Sequence, residues 1–213
     1  EAQTGVVYTI YSGGDDLFFV GAWDVLPTLA DRIRRDLARF TSENRFIHVS
    51  AGISLHGKKH PLYQAASEAA SALNQAKDSP GKNAWTFLGQ TNTWADYERV
   101  EGLVNQLLEL EQHPRVGRSL FRVLLQIHNE YATARSYNRA GRDQVIYGPW
   151  MWHCTYLLSR MAQRAGGDAE KRLRELESKL SLNHFRGIEL VGLAARWAEA
   201  WTKPESHNGE DKE

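Results

Sequence analysis

Residues 6–20 read Val6-Val7-Tyr8-Thr9-Ile10-Tyr11-Ser12-Gly13-Gly14-Asp15-Asp16-Leu17-Phe18-Phe19-Val20. Two β-branched and aromatic runs flank a short polar link, which is the pattern of a β-hairpin. The link, Ser12-Gly13-Gly14-Asp15-Asp16, carries the chemistry. Two glycines permit positive φ and let a phosphate-bearing ligand approach the backbone. Two adjacent carboxylates repel unless a cation joins them, and hard divalent ions such as Mg2+ or Mn2+ prefer carboxylate and phosphate oxygens together. Ions so held activate an attacking hydroxyl and neutralise leaving oxygens in phosphoryl transfer. On a regular strand Asp15 and Asp16 point to opposite faces, so a shared ion requires an irregular turn. The competing reading is a plain surface turn, since Gly and Asp are common turn formers. Apolar strands on both sides argue instead for a central, buried hairpin.

Outward from the hairpin, Asp24 is placed to cap a helix with Pro27 in its first turn. Leu26, Leu29, Ala30, Ile33, Leu37 and Phe40 fall on one face of it, and Arg34, Arg35 and Arg39 elsewhere. Phe46 to Leu55 reads as a strand ending in the Gly57-Lys58-Lys59-His60-Pro61 break. A second helix, Leu62 to Asp78, is lined with alanines that permit close approach to a sheet. Ser79-Pro80-Gly81 stops it, and Ala84 to Leu88 reads as a short strand. The order strand, strand, helix, strand, helix, strand implies an α/β or α+β sheet sandwich over residues 1–90. Lysines at the end of the second helix (Lys77) and after it (Gly81-Lys82-Asn83) are placed to meet a triphosphate as point charges. Lys77 equally suits the negative end of the helix dipole.

Beyond residue 90 the period changes, and no strand is expected. Trp94–Glu111, Arg115–Arg135, Trp150–Ala165, Asp168–Leu180 and His184–Trp201 all suit helices, giving an all-α bundle over 91–203. The last helix has apolar positions on two sides and is expected to be central. Residues 204–213 are polar and expected to be a disordered tail.

Composition excludes more than it assigns. Net charge is zero, with 9 basic and 9 acidic residues over 1–90 and 17 of each over 91–213, so no global field marks a nucleic-acid or membrane partner. Cys154 is the only cysteine, which rules out internal disulfides and suits a reducing cytoplasm. No apolar run spans a membrane. Glu1 stands almost directly before a strongly apolar strand, so the chain reads as a piece of a longer protein.

Four stretches then carry a resemblance. Tyr11-Ser12-Gly13-Gly14-Asp15-Asp16-Leu17, Val49-Ser50-Ala51-Gly52-Ile53-Ser54, Ala65 to Ala76-Lys77, and Gly81-Lys82-Asn83 follow one another as in the GGDEF/palm cyclase superfamily. Diguanylate cyclases place phenylalanine after the acidic pair, where this chain has Leu17. Ser-Gly-Gly-Asp-Asp with a helical domain behind it resembles the large subunit of type III CRISPR effector complexes. The resemblance is closest over residues 5–89. It implies a partial ferredoxin-like palm domain over 1–90 and conversion of ATP to cyclic oligoadenylates. The partners it implies are the rest of the large subunit, other effector subunits, guide RNA and target RNA. Asp15 and Asp16 match the metal-binding catalytic pair, Ser12, Gly13 and Gly14 the turn beside the nucleotide, and Lys77, Lys82 and Asn83 its phosphate contacts. A strand and two helices precede the hairpin in that family, and here they do not, so the chain alone is expected to be inactive. A first palm domain, an HD nuclease and a zinc site, carried by members, do not lie within it, and it contains no His-Asp dipeptide. The alternatives are a diguanylate cyclase-like signalling enzyme and a degenerate palm serving as a scaffold.

Arg115, Arg118, Arg122, Arg135, Arg139 and Arg142 lie in a stretch whose only acid is Glu130. Arg135, Arg139 and Arg142 with Tyr137 form a candidate RNA or subunit contact, against the alternative of a face paired by acids on other helices. Trp150, Trp152, Trp197 and Trp201 suit core or interface better than base stacking, and the Pro149-Trp150-Met151-Trp152 run must turn one Trp outward. His153 beside Cys154 has no metal-ligand spacing.

Overall fold

The computed structural model describes residues 7–57, 59–137, 147–185 and 187–203. The chain packs as two compact units, Glu1–Tyr97 and Glu98–Glu213, so the boundary falls later than the one expected at residue 90.

In unit 1, strands β1 (Val7–Gly13) and β2 (Asp16–Gly21) form an antiparallel two-stranded sheet. A bulge between Thr9 and Tyr11 puts Ile10 out of register. The expectation of a buried, central hairpin is corrected here: Tyr8, Ile10, Tyr11 and Leu17 are all about half exposed or more. Among the described residues β1 pairs with β2 alone. Helix α1 (Leu26–Phe40) follows with Pro27 in its first turn, but Val25 rather than Asp24 is the N-cap and no side chain caps it. Its packed face departs from the expected one at both ends of the polarity scale. Asp31 is 2% exposed and held by Arg34 and Arg35, each at 2.8 Å, whereas Phe40 is 87% exposed.

A second sheet has the order β3 (Ala51–Ile53), β4 (Ala84–Phe87), β5 (Gln90–Thr93). Helix α2 (Leu62–Lys77) joins β3 to its parallel neighbour β4. The strand expected over Phe46 to Leu55 shrinks to three residues because turns and side chains claim its backbone groups. Asn44 accepts from the Phe46 amide through Oδ1 and from the Ile47 amide through its carbonyl, and Trp94 Nε1 donates to the Val49 carbonyl at 2.8 Å. β5 is a strand beyond residue 90, where none was expected. Leu88 and Gly89 both have positive φ, as a type I′ turn requires, and they fold Gln90–Thr93 back onto β4. β4 is wholly buried, and Trp85, Trp94 and Tyr97 pack ring against ring beside it. The alanines of α2 allow the approach expected of them: a Cβ on Gly52 would lie 2.1 Å from the Leu73 amide nitrogen and 2.5 Å from the Ala69 carbonyl oxygen.

A short 3-10 turn (Trp94–Asp96) leads into α3 (Tyr97–Glu111), followed by α4 (Ser119–Tyr137), α5 (Pro149–Ala165), α6 (Gly167–Phe185) and α7 (Gly187–Thr202). These follow the five expected helical stretches, with α6 five residues longer at its carboxy end. Helix α7 is central: Ile188, Leu190, Val191, Leu193, Ala194, Ala195, Trp197 and Ala198 are buried. Trp150 is buried edge-on between Tyr131 and Phe185, while Trp152 is 59% exposed. No helix among the described residues is long and apolar enough to cross a membrane. The expected tail from Pro204 lies outside the described residues.

Helices α4 and α7 approach through Gly192, where an added Cβ would lie 2.2 Å from the His128 ring. Burial first, then the Arg196 charge, push the His128 pKa below its ordinary 6.5, opposed by a hydrogen bond with Asn129. The unfolded chain therefore takes up a proton that the folded one refuses. The stability of the neutral imidazole is complete above about pH 6.5 and is lost as pH falls from there toward the folded pKa. A lower urea midpoint at pH 5.5 than at pH 7.5 is expected, with a smaller difference in His128→Gln.

Candidate functional site

The hairpin tip is built by register. Gly13 pairs with Asp16, which leaves Gly14 and Asp15 as the two turn residues, and Gly14 has φ +61°. That conformation favours glycine and keeps the tip free of a side chain at Gly14. Ser12, Gly14, Asp15 and Asp16 are exposed and Gly13 is half-buried. The two acids differ in setting. Asp15 occupies the turn itself, while Asp16 opens β2 and forms part of the wall of a cavity of about 660 Å3. That cavity is lined by β2, α1, β3 and α2, including Phe19, Leu29, Ile33, Ala69 and Leu73.

Lys77 is exposed in the last turn of α2, and Lys82 and Asn83 are exposed in the turn before β4. None of the three lines the cavity that Asp16 borders. Lys82 has positive φ, and its carbonyl accepts from the Ser50 hydroxyl, so the turn is tied to the segment before β3.

In unit 2, Arg135 pairs with Glu189 of α7 and donates to the Tyr131 hydroxyl, which itself donates to Glu189 at 2.7 Å. An acid on another helix thus engages this arginine, as the structural alternative required. Arg139 and Arg142 lie outside the described residues. His153 Nδ1 is 2.6 Å from Glu130 Oε2. Cys154 is fully buried, and burial, then the Glu177 charge, push its thiol up to about 12, which removes it as a nucleophile.

Sequence reasoning missed one constellation. His56, His60 and Glu68 bring their ligand atoms within 4.8 Å of one another, and both histidines line the same cavity as Asp16. The signal was two histidines four apart, of which only His60 was read, as part of the break before α2.

Residues 2–86 match the second palm domain of the Cas10/Cmr2 family. The chain is 36% identical over 195 residues to the CRISPR system Cmr subunit Cmr2 of Pyrococcus furiosus, covering 84% of this chain and 21% of that protein. It is 42% identical over 97 residues to the CRISPR system single-strand-specific deoxyribonuclease Cas10/Csm1 (subtype III-A) of Mycobacterium tuberculosis, covering 46% of this chain and 12% of the relative. The protein of the same name in Methanocaldococcus jannaschii is 31% identical over 128 residues, covering 49% of this chain and 16% of the relative. The chain thus spans about a fifth or less of the length of each of these relatives.

Proposed function

Because the chain belongs, through residues 2–86, to the Cas10/Cmr2 family of type III CRISPR large subunits, we propose that its hairpin is a metal-dependent nucleotidyltransferase site. It converts ATP to cyclic oligoadenylates within an RNA-guided antiviral complex. The observation that carries this reading is the tip itself: a glycine held at positive φ beside two exposed acids, one of them bordering a large cavity.

The donor set fits the ion. Asp15 and Asp16 offer only hard carboxylate oxygens, the kind Mg2+ and Mn2+ take, and their exposure leaves other positions to water and phosphate. A bound divalent ion supplies charge neutralisation at the phosphates. The chain's own share is positional. The Gly13–Asp16 pairing fixes one carboxylate at the strand end, and the bare backbone at Gly14 lets a triphosphate come close. Ser12 and Gly13 flank that approach, and Lys77, Lys82 and Asn83 are assigned to more distant phosphate contacts. Arg139 and Arg142 are assigned to RNA or neighbouring subunits and the outward Trp152 to a neighbouring subunit, whereas Arg135 is already engaged by Glu189. No residue of this chain is assigned the deoxyribonuclease activity in the Csm1 relatives' name.

The test is the full-length subunit in its assembled guide-RNA complex, given target RNA, Mg2+ and either ATP or GTP. Cyclic oligoadenylate from ATP is the expected product. A guanylate product alone, or no product from either nucleotide, overturns the assignment.

A further inference from the structure

His56 lies just beyond β3, His60 just before α2, and Glu68 in the second turn of that helix. The two imidazoles stack with centroids 4.1 Å apart and planes 7° from parallel. Their Nε2 atoms face one carboxylate, at 3.7 Å from Glu68 Oε2 for His56 and 3.7 Å from Glu68 Oε1 for His60. Both nitrogens are closed off from solvent, and neither has a hydrogen-bond partner among the described residues. Two buried ring nitrogens turned on the same acid without hydrogen bonds are costly as they stand. A cation between them would satisfy all three groups at once.

We propose that His56, His60 and Glu68 form a binding site for a divalent cation of the zinc class. Two imidazole nitrogens and one carboxylate oxygen are a set that zinc and its neighbours accept, whereas magnesium prefers oxygen throughout. Ligands at about 2.1 Å from a tetrahedral ion stand roughly 3.4 Å apart, so ligand atoms that already lie within 4.8 Å of one another must draw closer on binding. An ion must also lie in the plane of each ring. Binding therefore opens the parallel stack, with His60 turning out of it on the loop before Pro61. Three protein ligands leave a coordination position for water or for a group entering the cavity that both histidines line. The site differs in donor chemistry from the all-carboxylate pair at Asp15 and Asp16. Its sequence positions clip the end of β3 to α2, which makes the ion a stabiliser of unit 1.

The test titrates Zn2+ into the full untagged chain, stripped of metal, against a competing chromophoric chelator. Co2+ absorption reads the ligand field, and thermal unfolding reads the coupling to stability. One tight equivalent is expected, with a raised unfolding temperature, and it persists in the Asp15→Asn, Asp16→Asn double variant. His60→Ala is expected to weaken it by about a hundredfold or more, and so is Glu68→Gln, whose side chain is 60% exposed and whose replacement leaves the fold intact. Circular dichroism of each variant without metal separates lost binding from lost folding. No tight Zn2+ site in the parent, or a site that survives both His60→Ala and Glu68→Gln, overturns the proposal.

Discussion

Gly52→Ala is expected to destabilise unit 1 by about 3 kcal/mol, the upper end of what overpacking a close contact costs. The added Cβ would sit 2.1 Å from the Leu73 nitrogen and 2.6 Å from the Leu73 Cα. These are backbone atoms of a helix, so no side chain can swing aside. Either α2 withdraws from β3, or β3 slips against β4, where Gly52 is opposite Thr86. Both loosen the wholly buried β4 and the aromatic cluster of Trp85, Trp94 and Tyr97. Gly57→Ala serves as the comparison, because nothing lies within 4 Å of its added Cβ. It is expected to change stability by no more than about 0.5 kcal/mol. Urea unfolding followed by tryptophan fluorescence distinguishes the two, and an unmoved midpoint in Gly52→Ala would contradict the close approach of α2.

Asp15→Asn with Asp16→Asn is expected to lower nucleotide conversion by the assembled subunit about a thousandfold. Removing the charge that holds a divalent ion at phosphates forfeits several kcal/mol of transition-state stabilisation, and each 1.36 kcal/mol is a tenfold change in rate. Both side chains are exposed, so stability should stay within about 0.5 kcal/mol. Of the single variants, Asp16→Asn is expected to lose more, because Asp16 borders the cavity and Asp15 does not. A double variant that keeps more than about a tenth of parental activity removes the acids from the chemistry.

Where a residue's setting follows from local pattern, the sequence made it legible. The hairpin, the alanine face of α2 and the two-sided apolar α7 are cases of strand period, residue size and helix period. Burial set by distant neighbours was not legible. Asp31 reads as a polar helix residue, and only folding brings it beneath Arg34 and Arg35 in an almost solvent-free position. Gln90-Thr91-Asn92-Thr93 has no apolar alternation, so β5 was hidden. Its hairpin turn, Leu88-Gly89, places a branched residue at positive φ, which sequence rules disfavour. At the candidate site the acids and glycines were visible, because turn chemistry is local. The meeting of His56 and His60 with Glu68 was not, since it depends on how the loop after β3 folds back on α2.

The two-stranded sheet of β1 and β2 has a dynamic consequence. Each strand carries one ladder edge with no described partner, and a lone pair of strands is marginal in water. Backbone amides of Val7–Gly13 and Asp16–Gly21 should trade protium for deuterium sooner than those of the enclosed Ala84–Phe87. The acidic tip therefore rides on a pair of strands that opens more readily than the enclosed β4.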